Sequence, residues 1–338
     1  MATMGQFGND LYSGARSFRF VERRRWWYLI SIALVLISIL GPLARGGFQI
    51  DKAFNLGIEF TGGSEFTVSN VPDTNQQIAS DAVATVDSQL VPKISIVGSN
   101  SIRVQTQQMT NEQTDAVSVA LATGYGVPDT NVTSSFIGAT WGADITTQAL
   151  RALIVFLVLA GIVLALYFRT WKMSLVAIIA LIHDVIITAG IYGITGFEVT
   201  PGAVIGLLTI LGYSLYDTVV VFDKIRENTT GQTRDASLTF GQQVNLGINQ
   251  TLVRSLNTAV VAALPVAAIL FIGAFVLGAG TLRDISLALL VGIVVGTYST
   301  IFLAAPLYAG MRMREPAIKK NDTRLRELQE KARERADA

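Results

Sequence analysis

The chain contains no cysteine and a single histidine, His183. Disulfides, iron–sulfur clusters, thiolate nucleophiles, cysteine zinc sites and histidine-rich metal sites are therefore excluded. No Gly-Lys dipeptide occurs, so a Walker A phosphate loop is absent and ATP bound to this chain is not the expected energy source. Charge is scarce as well: 15% of the 338 residues are Asp, Glu, Lys or Arg, and 51% are hydrophobic. A soluble domain carries about 25% charged residues. The charges that exist cluster in an N-terminal arm, one internal loop and a C-terminal tail, beside apolar runs. That distribution points to a membrane protein and gives no support to nucleic-acid binding.

About 20 apolar residues span the roughly 30 Å hydrocarbon core as a helix. Six segments qualify: Trp26–Leu43, Ala149–Phe168, Met173–Tyr192, Gly202–Phe222, Thr258–Leu277 and Ile285–Leu307. The first follows Arg16, Arg19, Arg23, Arg24 and Arg25. Its length exceeds a signal-peptide core, and Pro42-Leu43-Ala44-Arg45 is a poor cleavage site, so it reads as an uncleaved anchor. With the N-terminus inside, twenty of the 26 basic residues fall on the inner side and six, Arg45, Lys52, Lys93, Arg103, Arg151 and Arg283, on the outer. The positive-inside rule then predicts cytoplasmic termini and an outward Gly46–Asp144.

The outward segment reads as a small α/β unit. Ile58–Phe60 and Ser64–Val68 suggest strands around Thr61-Gly62-Gly63, and Asp73–Leu90 has a helical pattern. Lys93–Val97 and Ile102–Gln105 alternate like paired strands. Thr110–Thr123 reads as a helix opening on a capping box, Thr110 with Gln113, and Asn131–Ile137 as a last strand. The order β-α-β-β-α-β is the ferredoxin-like pattern. The expected fold class is a membrane all-α bundle of six transmembrane helices with one exported α+β (ferredoxin-like) domain. Its parts are a cytoplasmic arm (1–25), helix 1 (26–45), the exported domain (46–147), helices 2–6 (148–310) with a cytoplasmic loop at 223–254, and a charged tail (311–338). In the tail Glu327 and Lys331 stand four apart, as on a solvated helix. A membrane-surface helix or a disordered end is the bland reading of that tail, and docking to a ribosome or partner the functional one.

Ionisable groups within a bilayer cost roughly 2.5–3.5 kcal/mol each near a helix centre, so each calls for a reason. Asp217 lies about 22 Å along the fourth span, with Tyr213 and Ser214 on its face at four and three residues. Burial favours the neutral form of a carboxyl group and a nearby cation the charged form, which is what a proton relay uses. A helix-end carboxylate snorkelling to the inner interface is the structural alternative. Arg254, expected to open the fifth span at the same end, is the natural partner, with Asn257 and Thr258 on its face; an ordinary positive-inside arginine explains it equally well. His183 and Asp184, near the centre of the third span, point about 100° apart. They suit a proton path or a satisfied interhelical hydrogen bond. Gly202-xxx-Gly206 and Gly292-xxx-Gly296 read as close helix contacts, and Pro265 as a possible kink. A hydrolase arrangement is not credible from Ser, Asp and one histidine.

Several of these residues, in order, resemble the SecD/SecF family. Phe54-Asn55-Leu56-Gly57-Ile58-Glu59-Phe60-Thr61-Gly62-Gly63 is similar to the signature following the family's first helix, with Glu59 where Asp is frequent. Gly212 through Asn228, ending Phe222-Asp223-Lys224-Ile225-Arg226-Glu227-Asn228, is similar to its fourth-helix signature, and His183-Asp184 and Thr251–Thr258 also match in place. The single modest outer domain resembles the SecF branch rather than SecD. The resemblance implies a resistance-nodulation-division-like membrane fold in a bacterial cell membrane. It also implies a non-enzymatic role in protein export driven by the proton gradient, with protons as coupling ion and no other cofactor or metal. Partners so implied are SecD, the SecYEG channel, YajC and YidC-like subunits, translocating unfolded secretory proteins and membrane lipids. The family's proton-handling Asp and Arg fall on Asp217 and Arg254. A proton-coupled lipid or small-molecule exporter of the same superfamily, or a passive assembly scaffold, are the rival readings.

Overall fold

The structure is a computed structural model that describes residues 4–49, 52–230, 235–273 and 280–336. Residues 231–234 of the expected loop, 274–277 of the expected fifth span and the side chain of Lys331 lie outside the described residues.

Among the described residues six helical stretches are long and apolar enough to cross a membrane. After a short arm helix α1 (Met4–Ser13) comes the first of them, α2 (Arg24–Arg45). A two-residue strand β1 (Asn55–Leu56) and a one-turn helix α3 (Ile58–Thr61) lead into the extramembranous domain. That domain consists of β2 (Gly63–Val68), α4 (Gln76–Val86), β3 (Lys93–Val97), β4 (Ser101–Thr106), α5 (Asn111–Tyr125) and β5 (Val132–Ile137). The remaining spans are α6 (Ala139–Phe168), α7 (Trp171–Thr195), α8 (Pro201–Thr230) and α9 (Phe240–Phe271). The last is a composite: α10 (Gly280–Tyr298), a π-helical turn at Ser299–Ala304 and α11 (Ala305–Arg312). A strand β6 (Glu198–Val199) joins α7 to α8, and α12 (Pro316–Ala336) carries the charged tail.

The domain's sheet is antiparallel with the order β3-β4-β2-β5. Its helices cover one face because the inward residues of the strands, Phe66, Val68, Ile102 and Val104, meet Val83, Val117 and Leu121 in a buried core. The capping box at Thr110 and Gln113 is present, and Gly126 in the left-handed region (φ 64°) ends α5. Ile58–Phe60 is helical rather than a strand. Gly62 (φ 73°) and Gly63 (φ 143°) follow it, and a Cβ on Gly63 would overlap the Thr106 carbonyl. The chain must turn sharply there to enter β2, and only glycine permits both conformations.

The segment 223–254, expected as a loop, is mostly helix. α8 runs on to Thr230 and α9 starts at Phe240, capped by Thr239 and Gln242. The extension of α9 is too polar to register as apolar, yet Val244, Ile248 and Leu252 bury one stripe at four-residue spacing. Its Asn245 and Asn249 hold the arm: Asn249 Oδ1 accepts from the Phe18 backbone N–H at 2.8 Å and Asn245 Oδ1 from that of Val21 at 3.2 Å. Both small-residue motifs lie on one seam between α8 and α10. A Cβ on Gly206 would come within 2.8 Å of Ala288 Cβ, and one on Gly292 would overlap Ile210. α9 continues through Pro265 as a single helix.

The domain is fastened to the bundle. β1 pairs in parallel with β6, and the Gly57 N–H donates to the Val199 carbonyl at 2.9 Å. Beside this staple Glu198 accepts from Gln105 (2.6 Å) and lies 3.4 Å from Lys93 Nζ and 3.5 Å from Arg103 Nη1. Arg103 also reaches Glu65 at 3.6 Å.

Candidate proton-handling site in the bundle core

Asp217 sits in α8 and is buried. Its Oδ1 accepts a hydrogen bond from Ser255 Oγ of α9 at 2.7 Å, while Oδ2 has no partner among the described residues. Buried carboxylate oxygens are ordinarily satisfied, so this oxygen marks a place where a proton or another donor belongs. The next residue, Thr218, shares a hydrogen bond of 2.9 Å with Thr300. Thr300 lies in the π-helical turn, an irregularity common at functional positions.

A second polar group occupies α7. Asp184 Oδ2 accepts from Ser214 Oγ at 2.6 Å, and Oδ1 lies 3.3 Å from His183 Nδ1. Both residues are buried, and the His183 ring stacks on Tyr298 at 6.1 Å between centroids. His183 Nε2 has no partner among the described residues. Gly296 makes room here, since a Cβ on it would stand 2.9 Å from Ser214. Although 100° apart on α7, His183 and Asp184 thus line one interior, and Ser214 serves Asp184 rather than Asp217.

Arg254 is not where the sequence placed it. It lies fourteen residues into α9, because that helix starts at Phe240. It is exposed, and its Nη2 donates to the Tyr216 hydroxyl at 3.3 Å; Asp217 is bound by Ser255 instead. Arg254, exposed Asn257 and the Tyr216 ring form a lateral face of the bundle. Thr258 Oγ1 donates to the Arg254 carbonyl at 2.8 Å, and Tyr213 is half-buried. Ser255 and Thr300 were missed. The signals were a serine adjacent to Arg254 and the polar pair Ser299-Thr300 inside an apolar run.

A third polar site, also unforeseen, closes the other end of the seam. Asp284 Oδ2 accepts from Thr200 Oγ1 at 3.0 Å, Oδ1 from Arg283 Nε at 3.1 Å, and its carbonyl from Tyr192 at 3.2 Å.

The signature residues fall into two structural roles. Gly57 pairs with β6, Gly62 and Gly63 shape the turn into β2, and Glu59 stands half-buried beneath the Glu198 cluster. Its Oε2 has no partner among the described residues. Burial pushes its carboxyl above the ordinary range; Glu198 and Glu65 add to the rise, while its own backbone N–H and Arg103 oppose it. At the far end of α8, Asn228 donates to Gln250 at 2.8 Å, Arg226 to the Tyr167 carbonyl at 3.5 Å, and Glu227 pairs with Lys224 at 2.9 Å. Asp223 is exposed. The Asn228 and Arg226 bonds tie α8 to α9 and α6. Among the described residues no group of three or more metal-ligating side chains occurs.

Known proteins resemble this chain in sequence and fold. Residues 118–314 match the family "Protein export membrane protein SecD/SecF, C-terminal", and 50–69 match the "SecD/SecF GG Motif". The chain is 44% identical over 321 residues to the protein translocase subunit SecF of Streptomyces coelicolor, covering 94% of this chain and 83% of that one. It is 32% identical to the SecF of Rhodothermus marinus, covering 89% of this chain and 95% of that one. The crystal structure of SecDF, a translocon-associated membrane protein from Thermus thermophilus, superposes with a TM-score of 0.73 at 31% identity. That match takes in 88% of this chain and 39% of the SecDF chain, so this protein spans about two-fifths of its length. Six apolar helices and these relatives make it a multi-pass membrane protein. On this evidence the chain belongs to the SecD/SecF protein-export family, on its SecF branch.

Proposed function

We propose that this chain is the SecF-type half of a two-part accessory machine of the Sec translocase, coupling the proton gradient to export of secreted proteins. The observation that carries the reading is Asp217: buried in the fourth span, with one oxygen on Ser255 and the other unpartnered. The longer SecDF chain, of which this one spans 39%, supports a SecD-type partner for the remainder. The exposed face bearing Arg254 and Tyr216 is the side on which that partner would supply a path to Asp217. Protonation of Asp217 removes a charge that Arg254, near but unpaired with it, would otherwise attract. α8 and α9 then shift against the partner. One charge crossing the membrane supplies about 2.3 kcal/mol per 100 mV, enough to bias a two-state element of a few kcal/mol.

In this reading both termini are cytoplasmic and the domain of β2–β5 is an exported ferredoxin-like unit, supported by the basic-residue asymmetry and by its β3-β4-β2-β5 strand order. SecYEG, YajC and YidC-like subunits are the wider assembly, and the chain hydrolyses no nucleotide itself. Asp217→Asn tests the proposal. Secretion measured with and without an imposed proton gradient is expected to lose its gradient dependence in this variant. Normal dependence would leave a passive scaffold as the better description.

A further inference from the structure

A groove of about 630 Å³ opens on the bundle surface between α2, α9 and the last span. Trp27, Leu256, Ala259, Ala263, Ile293 and Phe302 wall it, and Arg19 and Arg23 stand at one end. It is amphiphilic along its length. Arg23 is exposed and has no ion-pair partner among the described residues, while Arg19 meets only Glu22, at 3.6 Å on the solvent side.

Two measures say what fits. From Leu252 near the arginine end to Ala263 is eleven residues of α9, about 16 Å of rise. Half of a roughly 30 Å hydrocarbon core is about 15 Å, so the apolar part is one leaflet deep. A second observation concerns the face used. At about 100° per residue, Leu252, Leu256, Ala259 and Ala263 lie within about 40° of the point on α9 opposite Arg254. If the partner half docks on the Arg254 face, as in the functional reading on which this step rests, the groove looks away from it, into lipid.

We propose that this groove is a binding site for an anionic phospholipid. The phosphate sits between Arg19 and Arg23, and one acyl chain lies along Leu256, Ala259 and Ala263. The chemistry follows: two cations at headgroup level favour a net negative lipid over a zwitterionic one, and the apolar trough selects a chain rather than a soluble anion. The far wall matters too, since Tyr298 lines the groove and its ring stacks on both His183 and Phe302.

The test uses the full chain purified in detergent, with native mass spectrometry counting retained lipid after addition of phosphatidylglycerol or phosphatidylcholine. About tenfold preference for phosphatidylglycerol is expected. Arg19→Gln with Arg23→Gln should bring the two lipids to parity, and Ala263→Phe should lower retention of both. A photo-crosslinking residue at Val260 in cell membranes should yield a lipid adduct. Equal retention by the unmodified protein, an undiminished preference in the double variant, or a crosslink to a protein partner at position 260 would each overturn the site. None of these outcomes bears on Asp217→Asn, so failure here leaves the proton reading standing on its own test.

Discussion

Ser255 is the residue that makes Asp217 a defined site rather than a stray charge, because it fixes one oxygen and leaves the other open. A hydrogen bond to a charged group is worth about 1.5–3 kcal/mol, so Ser255→Ala should reduce gradient-dependent export about tenfold or more while leaving gradient-independent export unchanged. Glu59 gives a pH signature outside the membrane. Its folded-state carboxyl is raised above the ordinary 4.5, chiefly by burial. Stability from the neutral form is then fully present below 4.5 and is lost as pH rises through the folded value. Thermal unfolding followed from pH 4 to 7 should show a decline in the wild type that is smaller in Glu59→Gln. Asp217 and His183-Asp184 were legible because an ionisable residue in an apolar run has few innocent explanations. Ser255 and Thr300 were not, since a hydroxyl inside a helix can bond its own preceding carbonyl, and nothing in one sequence tells which hydroxyls turn outward.

At the scale of elements, the seam between α8 and α10 is built on absent side chains. Gly206→Leu would drive side-chain atoms into Ala288 and the Ile285 carbonyl, and overpacking of this kind costs about 1–3 kcal/mol or more. Gly212, in the same helix, has nothing within 4 Å of a new Cβ. Gly212→Ala should therefore hold or raise stability, by up to about 1 kcal/mol from helix propensity. Thermal unfolding in detergent separates the two, and equal destabilisation would contradict the seam. The glycine spacing of this seam could be read directly, as could the six apolar runs. The true lengths of α8 and α9 could not. Their ends leave the apolar window, and the reason α9 persists, a stripe of Val244, Ile248 and Leu252 backed by asparagines that grip the arm, depends on contacts with Phe18 and Val21 more than two hundred residues away.

For the molecule as a whole, the governing fact is how the domain is attached. The four strands of the sheet were readable from their alternation, whereas Ile58–Phe60 proved helical and the β1–β6 staple was invisible, because two-residue strands carry no periodicity to detect. Glu198→Ala would strip Arg103 and Lys93 of a shared partner; with these groups partly exposed the loss is about 1–3 kcal/mol. Hydrogen exchange should rise at 55–57 and 198–199 and stay unchanged in the sheet core around Phe66 and Val104. One residue separates the staple from Pro201, where α8 begins, and α8 then runs about 40 Å without a break, past Asp217 to Asn228. Such a connection has no slack. A slide or roll of that rod at the depth of Asp217 is delivered to the sheet as a whole-body displacement, with no linker to absorb it. Two glycines inserted between Val199 and Thr200 would supply that play, and should uncouple export from the gradient while leaving both halves folded.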